Sequence, residues 1–334
     1  MSGHSLEHGT VLFVLDLLIQ NLISPVVLAF LFGMVARWVK SDLEIPPALY
    51  QGLSIYLLFA IGLKGGVAIS NTDPGELVFP VAGTLALGIL TPLSAFAILK
   101  KFGRLDRTNA AATAAHYGSV SAVTFLAALE AARISGLQAE EYLPALVAIL
   151  EVPGIIIGLF LAQSQRGGSI KAALHEVIVG KSILLLIGGM VIGALCGQAK
   201  VDSVAPFFLD PFKGVLCLFL LELGMVAANR IRDLRSAGWR LVVAGCVLPV
   251  IHGFIGVIVG TMAGMSPGGA AVLGAMSGSA SYIAAPAAVR IALPKASPGI
   301  YLTLALGVTF PFNLGVGIPL LLWFADFLAT RMSL

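Results

Sequence analysis

The sequence predicts an all-α integral membrane protein of ten transmembrane helices, folded as two inverted five-helix repeats with the fourth and ninth helices broken. Three observations carry that expectation. Charged side chains are too few to cover a water-soluble surface, apolar runs have membrane-spanning length, and the two halves of the chain match each other in order. Of 334 residues, 58% are hydrophobic and 11% charged, with mean hydropathy +0.98. Soluble domains carry about 25% charged residues. The apolar runs, roughly 18–25 residues each, suit helices crossing hydrocarbon. The alternating segments of about 10 residues that build barrels are absent.

Apolar runs bounded by charge or by Gly and Pro give the spans in order. The first, 22–39, closes at Arg37 and Lys40, and Val11–Gln20 either extends it or lies at the interface. The second, 47–69, opens at Pro46-Pro47 and stops before Asp73-Pro74. The third, 77–100, ends on Lys100-Lys101, and the fourth, 109–131, on Arg133. The fifth, 143–162, lies between Glu140-Glu141 and Arg166. The second set is 181–199, 207–229, 239–263, 269–291 and 300–328. Fifteen of the 20 Lys and Arg residues, from Arg37 to Lys295, fall in odd-numbered loops. Arg133, Lys200, Lys213 and Arg331 lie in even loops or tails, and Lys64 lies inside a span. Positive charge marks the cytoplasmic side, so both termini are expected outside the cytoplasm, in a multi-pass protein of a bacterial inner membrane. The N-terminal "MSGHSLEHGT" has no Lys or Arg and thus no signal-peptide n-region. The net charge of +3 reads as membrane topology, with no nucleic-acid partner.

The repeat is visible segment by segment. "FGMVARW" at Phe32 matches "GGMVIGA" at Gly188, and "LLFAIGLKGG" at Leu57 matches "FLLELGMVAA" at Phe219. "ILTPLSAF" pairs with "CVLPVIHGF", and "HYGSVSAVTF" with "MSGSASYIAA". "EYLPALVAILEVPGIIIG" pairs with "IYLTLALGVTFPFNLGVG", setting Pro153 over Pro311. Five spans per half is odd, so the halves cross in opposite senses, as in many secondary transporters. The division is 1–165, a cytoplasmic linker at 166–180, and 181–334.

Two stretches carry the candidate chemistry. Gly118, Ser119, Val120, Ser121 and Thr124 lie in the fourth span, and Ser279, Ala280, Ser281 and Tyr282 in the ninth. Gly and Ser weaken a helix, and a break near the midplane creates a half-helix N-terminus with free N–H groups and partial positive charge. Such an end binds small anions. Two breaks in inverted repeats would form one shared anion site. Close helix packing through small residues is the alternative. Glu151, two residues before Pro153, suits Na⁺ or H⁺, or else ties one helix to another. Thr309 and Asn313 flank Pro311 at the repeat-equivalent position, and Ser121 and Ser281 complete the candidate cation set. Lys64 either snorkels or functions, and Glu222 pairs or sits at an interface. Arg290 reads as an interface anchor, and His116 and His252 as core histidines. Cys196, Cys217 and Cys246 read as packing residues. "VIVGKS" lacks the first Gly of a P-loop, His175-Glu176 does not continue to HExxH, and no GxSxG occurs. No enzyme and no cofactor is expected.

The chain resembles the sodium-dependent bicarbonate transporter family, first known from cyanobacteria and with proteobacterial members, which it looks most like. The resemblance rests on "SPVVLAFLFGMV", "AIGLKGGVAI", "HYGSVSAVTF", "LDPFKGVLCLFLLELGM", "IHGF", "SGSASYIAAPAAVRIALP" and "SPGIYLTLALGVTFPFNLGVGIPL". It implies a core domain moving against a gate domain, a homotrimer in lipid, and a cytoplasmic PII-like regulator. It also implies bicarbonate and Na⁺ held at Gly118–Thr124 and Ser279–Tyr282. The cyanobacterial Ser-Ser-Ser-Asp is here Ser279-Ala280-Ser281-Tyr282, the fifth-span Asp is Glu151, and a second-span Thr is Lys64. The expected function is secondary active import of a small anion, bicarbonate first, with Na⁺ or H⁺. A permease for another small anion or organic acid, a passive anion channel and a membrane sensor are the alternatives.

Overall fold

The computed structural model describes residues 19, 22–162, 171, 172, 175 and 178–332. Most of the Val11–Gln20 piece and of the 166–180 linker lies outside the described residues. Among the described residues there is no strand. The helices are α1 (Pro25–Trp38), α2 (Pro47–Asn71), α3 (Pro74–Lys101), α4 (Arg107–Tyr117), α5 (Ala122–Ile134) and α6 (Leu143–Leu161). They continue as α7 (Lys181–Asp202), α8 (Ala205–Phe208), α9 (Phe212–Ala237), α10 (Trp239–Met262), α11 (Pro267–Ser277) and α12 (Ala285–Ala292). The last rod, α13, is Pro298–Arg331.

Eight helical segments among the described residues are long and apolar enough to cross a membrane, with α4 and α5 counted together and α8 joined to α9. Two of the ten expected spans are not in that set. The first is apolar but holds only 14 residues in α1. The ninth is divided into α11, 11 residues, and α12, 8 residues, because Gly278–Ala284 leaves the helix.

Local chemistry sets the helix starts. Ser24, Asp73, Asp106 and Ser266 cap α1, α3, α4 and α11 with side-chain oxygens that accept backbone N–H bonds. Proline follows directly at Pro25, Pro74 and Pro267, where its missing N–H costs nothing. Burial pushes the Asp106 carboxyl up, but bonds from Asn109 and Thr108 outweigh it and hold the group below its usual range. In α13, Pro311 cannot donate to the carbonyl four residues earlier. The rod widens around it into π-helix at Thr303–Thr309 and Asn313–Gly317, a form often found at functional sites.

The helices pack in two groups. In one, α1 crosses α9 and α2 crosses α7. A Cβ on Gly33 would lie 2.0 Å from the Leu221 carbonyl oxygen, and one on Gly193 would lie 2.1 Å from that of Leu63. Both crossings thus depend on backbone meeting backbone. In the other group α3 packs on α4 and α6, while α10 packs on α11 and α13. The rod α13 also reaches α9, and its Phe310 meets Phe30 of α1 edge to face at 5.3 Å. The two helix breaks sit at the centre of the second group, with residues 110–121 and 268–281 all buried.

Candidate functional site

The first break is Gly118–Ser121, between α4 and α5. Ser121 is the N-cap of α5, and its Oγ accepts the Thr124 N–H at 3.2 Å. The second break is Gly278–Ala284, and the Ser281 Oγ lies 3.4 Å from the Ala285 N–H at the start of α12. The two breaks are hydrogen-bonded to each other. Ser121 N–H donates to Ser279 Oγ at 2.8 Å. Ser281 N–H donates to the carbonyls of His116 and Ser119 at 2.8 and 3.1 Å. Ser279 Oγ in turn donates to the Met276 carbonyl at 2.7 Å. Gly278 and Gly118 are held tightly from behind. A Cβ at Gly118 would lie 2.7 Å from Pro92 Cβ, and one at Gly278 2.5 Å from the Pro249 carbonyl oxygen.

Accessibility reopens at one point in each crossing. From Ala110 to Ala128 every residue is buried except Ala122, the first residue of α5. In the second crossing, burial from Gly268 to Ser281 gives way at Tyr282–Ala284, just before α12. These are the two half-helix N-termini, where the partial positive charge lies. The backbone N–H groups of Ala122, Val123, Tyr282 and Ile283 have no hydrogen-bond partner among the described residues. Two side chains beside them are also orphaned. Among the described residues, Ser119 Oγ and Tyr282 OH are enclosed without a hydrogen bond of good geometry, with Tyr282 OH beside the Ser121 side chain, and Ser119 is 1% exposed. Buried polar atoms are nearly always paired, so two orphans at one seam mark where water, an ion or a ligand fits. The donors here are hydroxyls and amides, with no basic side chain, which suits a small oxyanion of low charge.

Glu151 comes to the same place through α6. A Cβ on Gly154 would lie 1.7 Å from the Gly118 carbonyl oxygen, and one on Gly158 2.5 Å from Ala115 Cα. Residues three and four apart share a helix face, so Glu151 lies one turn beyond Gly154 on the face that meets the first break. It is 5% exposed and makes no hydrogen bond or ion pair among the described residues. Thr309 and Asn313 lie on α13 and engage both breaks. Tyr117 OH donates to Thr309 Oγ1 at 2.6 Å, and Thr309 donates to the Gly245 carbonyl at 2.8 Å. Asn313 Nδ2 donates to the Gly278 carbonyl at 2.9 Å. The structure thus brings Ser119, Ser121, Ser279, Ser281 and Tyr282 together, with buried Glu151 one helical turn from the Gly154–Gly118 contact and Thr309 and Asn313 bonded on the other side. Thr124 is buried one turn into α5, engaged through its backbone. Val120 and Ala280 are the buried apolar residues within the two breaks.

Other residues fall outside this cluster. Lys64 is exposed and pairs with Glu141 at 3.3 Å. Glu222 lines a groove with Arg37 and Asn229. His116 and His252 are fully buried, bonded to the Ala112 carbonyl and to Ser94 at 2.7 and 2.8 Å. Arg290 is exposed at the end of α12. Tyr117 and Gly154 were not picked out by sequence as site residues. The signals lay in quoted stretches: Tyr117 sits inside "HYGSVS", and Gly154 follows Pro153.

A family model described as the Na⁺-dependent bicarbonate transporter superfamily matches residues 25–326. A search of curated proteins found no match.

Proposed function

The chain belongs to the Na⁺-dependent bicarbonate transporter superfamily, and we propose that it is a secondary active transporter importing bicarbonate with Na⁺ by alternating access. The anion binds where the breaks meet, between the N-termini of α5 and α12. The observation that supports this most is the coincidence, at one seam, of reopened accessibility, unpartnered amides and the orphaned Ser119 and Tyr282 hydroxyls. Bicarbonate is planar, carries one charge and has several acceptor oxygens. Hydroxyls and helix-end amides match it without a Lys or Arg that would hold it too tightly for release.

Ten spans in two inverted repeats, 1–165 and 181–334, fit the packing. The α1–α9 and α2–α7 crossings exchange roles between halves, and the Gly118 contact with Pro92 in the first half has its counterpart in the Gly278 contact with Pro249 in the second. The group holding both breaks serves as the core, and the group of α1, α2, α7 and α9 as the gate. The core moves the anion between the two sides while the gate stays in the membrane, as one member of a homotrimer in the bacterial inner membrane. Glu151, with Ser121 and Ser281, forms the cation subsite, and Thr309 and Asn313 brace it. Proton coupling through Glu151 is the second reading, favoured by a carboxylate with no paired cation among the described residues and by Tyr282 standing where the resemblance implies an acid. Uptake of labelled bicarbonate into proteoliposomes, with and without an inward Na⁺ gradient, tests the proposal. Accumulation that needs the Na⁺ gradient supports symport. Accumulation that needs only a pH gradient supports the second reading, and equilibration without accumulation would replace the transporter by a channel.

A further inference from the structure

The seam between the breaks holds two kinds of donor, and they differ in what they can tell apart. The amides of Ala122, Val123, Tyr282 and Ile283 carry the partial charge of the helix ends. They answer negative charge, and a small carboxylate satisfies them as well as bicarbonate does. The hydroxyls answer the placing of oxygen atoms. Acetate has nearly the outline of bicarbonate, with a methyl group where bicarbonate has its third oxygen. A site that only attracts charge cannot separate the two. A fixed hydroxyl at the third oxygen can, because the methyl leaves that hydroxyl unpaired.

Tyr282 carries such a hydroxyl, and its ring is held from behind. The ring meets Phe310 edge to face, with centroids 5.7 Å apart and planes at 69°. Phe310 meets Phe30 in the same manner, at 5.3 Å and 81°, and both phenylalanines are fully buried. Tyr282 also packs against three hydrophobic clusters at once, those containing Phe310, Tyr301 and Tyr117. A ring wedged between close-packed groups keeps its rotamer, so the hydroxyl is aimed and not free to search. It lies beside the Ser121 side chain of the opposite break. There it is enclosed, without a hydrogen bond of good geometry among the described residues. Tyr282 thus brings an unpartnered amide and an enclosed hydroxyl to one place, where the two breaks face each other.

We propose that Tyr282 determines the specificity of the anion site: its hydroxyl pairs with the third oxygen of a planar three-oxygen monoanion and so excludes carboxylates of the same outline. This rests on the reading that bicarbonate binds where the breaks meet. A tyrosine hydroxyl both donates and accepts, so it pairs with the C–OH of bicarbonate or with a bare oxygen of nitrate. Acetate would set a methyl against it, and an enclosed polar group facing a methyl loses water without gaining a partner.

The test is equilibrium dialysis of labelled bicarbonate against full-length protein in detergent, in sealed cells at mildly alkaline pH, with nitrate or acetate as competitor. In wild type, acetate should need a concentration at least about tenfold above that of nitrate to displace half the label, the effect of one enclosed hydroxyl left unpaired. Tyr282→Phe keeps the ring and its contacts and removes only the hydroxyl. It should bind bicarbonate about tenfold more weakly, and bring acetate and nitrate to within about threefold of each other. Its melting temperature should stay near wild type, which separates lost recognition from lost structure. Equal displacement by acetate and nitrate in wild type would overturn the proposal and leave the anion site standing. An unchanged gap between them in Tyr282→Phe would overturn the assignment to Tyr282. If folded wild type binds no bicarbonate, the transport reading fails, and this one with it.

Discussion

Ser121 donates its backbone N–H to the side-chain oxygen of Ser279 at 2.8 Å, across a gap of 158 residues in the sequence. The reverse bond runs from Ser281 N–H to the Ser119 carbonyl at 3.1 Å. Residues 121 and 281 are equivalent under the sequence repeat, as are 119 and 279. The seam is therefore reciprocal, each half of the chain donating a serine backbone N–H to the other. The serines divide into two kinds. Ser279 holds the seam together, whereas the Ser119 hydroxyl has no hydrogen-bond partner among the described residues.

That division separates stability from activity. Ser279→Ala should destabilise the protein by about 1–3 kcal/mol, because the buried Ser121 N–H loses its acceptor. Ser119→Ala should leave thermal stability near wild type. Combined with Ser281→Ala, it should abolish uptake while the protein remains folded. Melting curves and uptake on the same preparations check both halves, and full transport by the double variant would reject the shared anion site.

Glu151→Gln keeps the side chain's shape and removes its charge. The cation dependence of uptake should change: the half-saturating Na⁺ concentration should rise, or a pH-gradient requirement should vanish. Na⁺ and pH titrations of initial rate provide the check. An unaltered cation response assigns Glu151 a structural role only.

The contact between α6 and the first break leaves no room for a side chain. Gly154→Ala would place a methyl 1.7 Å from the Gly118 carbonyl oxygen, and should cost about 1–3 kcal/mol as overpacking. Gly188→Ala meets nothing within 4 Å, and should be neutral or stabilising by up to about 1 kcal/mol. Parallel thermal melts compare the two.

Thr309 receives one hydroxyl and donates to one carbonyl, so its oxygen matters more than its size. Thr309→Val should cost about 1–3 kcal/mol by stranding Tyr117 OH and the Gly245 carbonyl. Thr309→Ser should restore most of that loss. Equal stability of the two variants would mean that the Tyr117–Thr309–Gly245 chain does not brace the breaks.

The class of fold was legible because membrane burial writes itself into composition and run length. The breaks were legible too: Gly118-Ser119 and Gly278-Ser279 are poor helix formers set at matching repeat positions. Hydropathy over-smoothed both crossings. A window that sees 269–291 as one apolar run cannot see that Gly278–Ala284 leaves the helix. The partners were not legible. Tyr117 and Thr309 are 192 residues apart, and no local pattern pairs them. The approach of Glu151 to the first break depends on Gly154 fitting against Gly118, a packing fact that only three dimensions contain. The π-helical widening of α13 shares that origin, since Pro311 marks an interruption without saying which form the helix takes around it.

Bicarbonate is proposed to sit between the half-helix ends of α5 and α12. Solid-state NMR of ¹³C-bicarbonate with protein labelled with ¹⁵N on tyrosine measures that position most directly, through dipolar dephasing of the bound carbon by the Tyr282 amide. Binding at that position should give dephasing in wild type, and its loss when Ser119→Ala and Ser281→Ala are combined. Bound bicarbonate that shows no dephasing in wild type, or the same dephasing in that double variant, would contradict it.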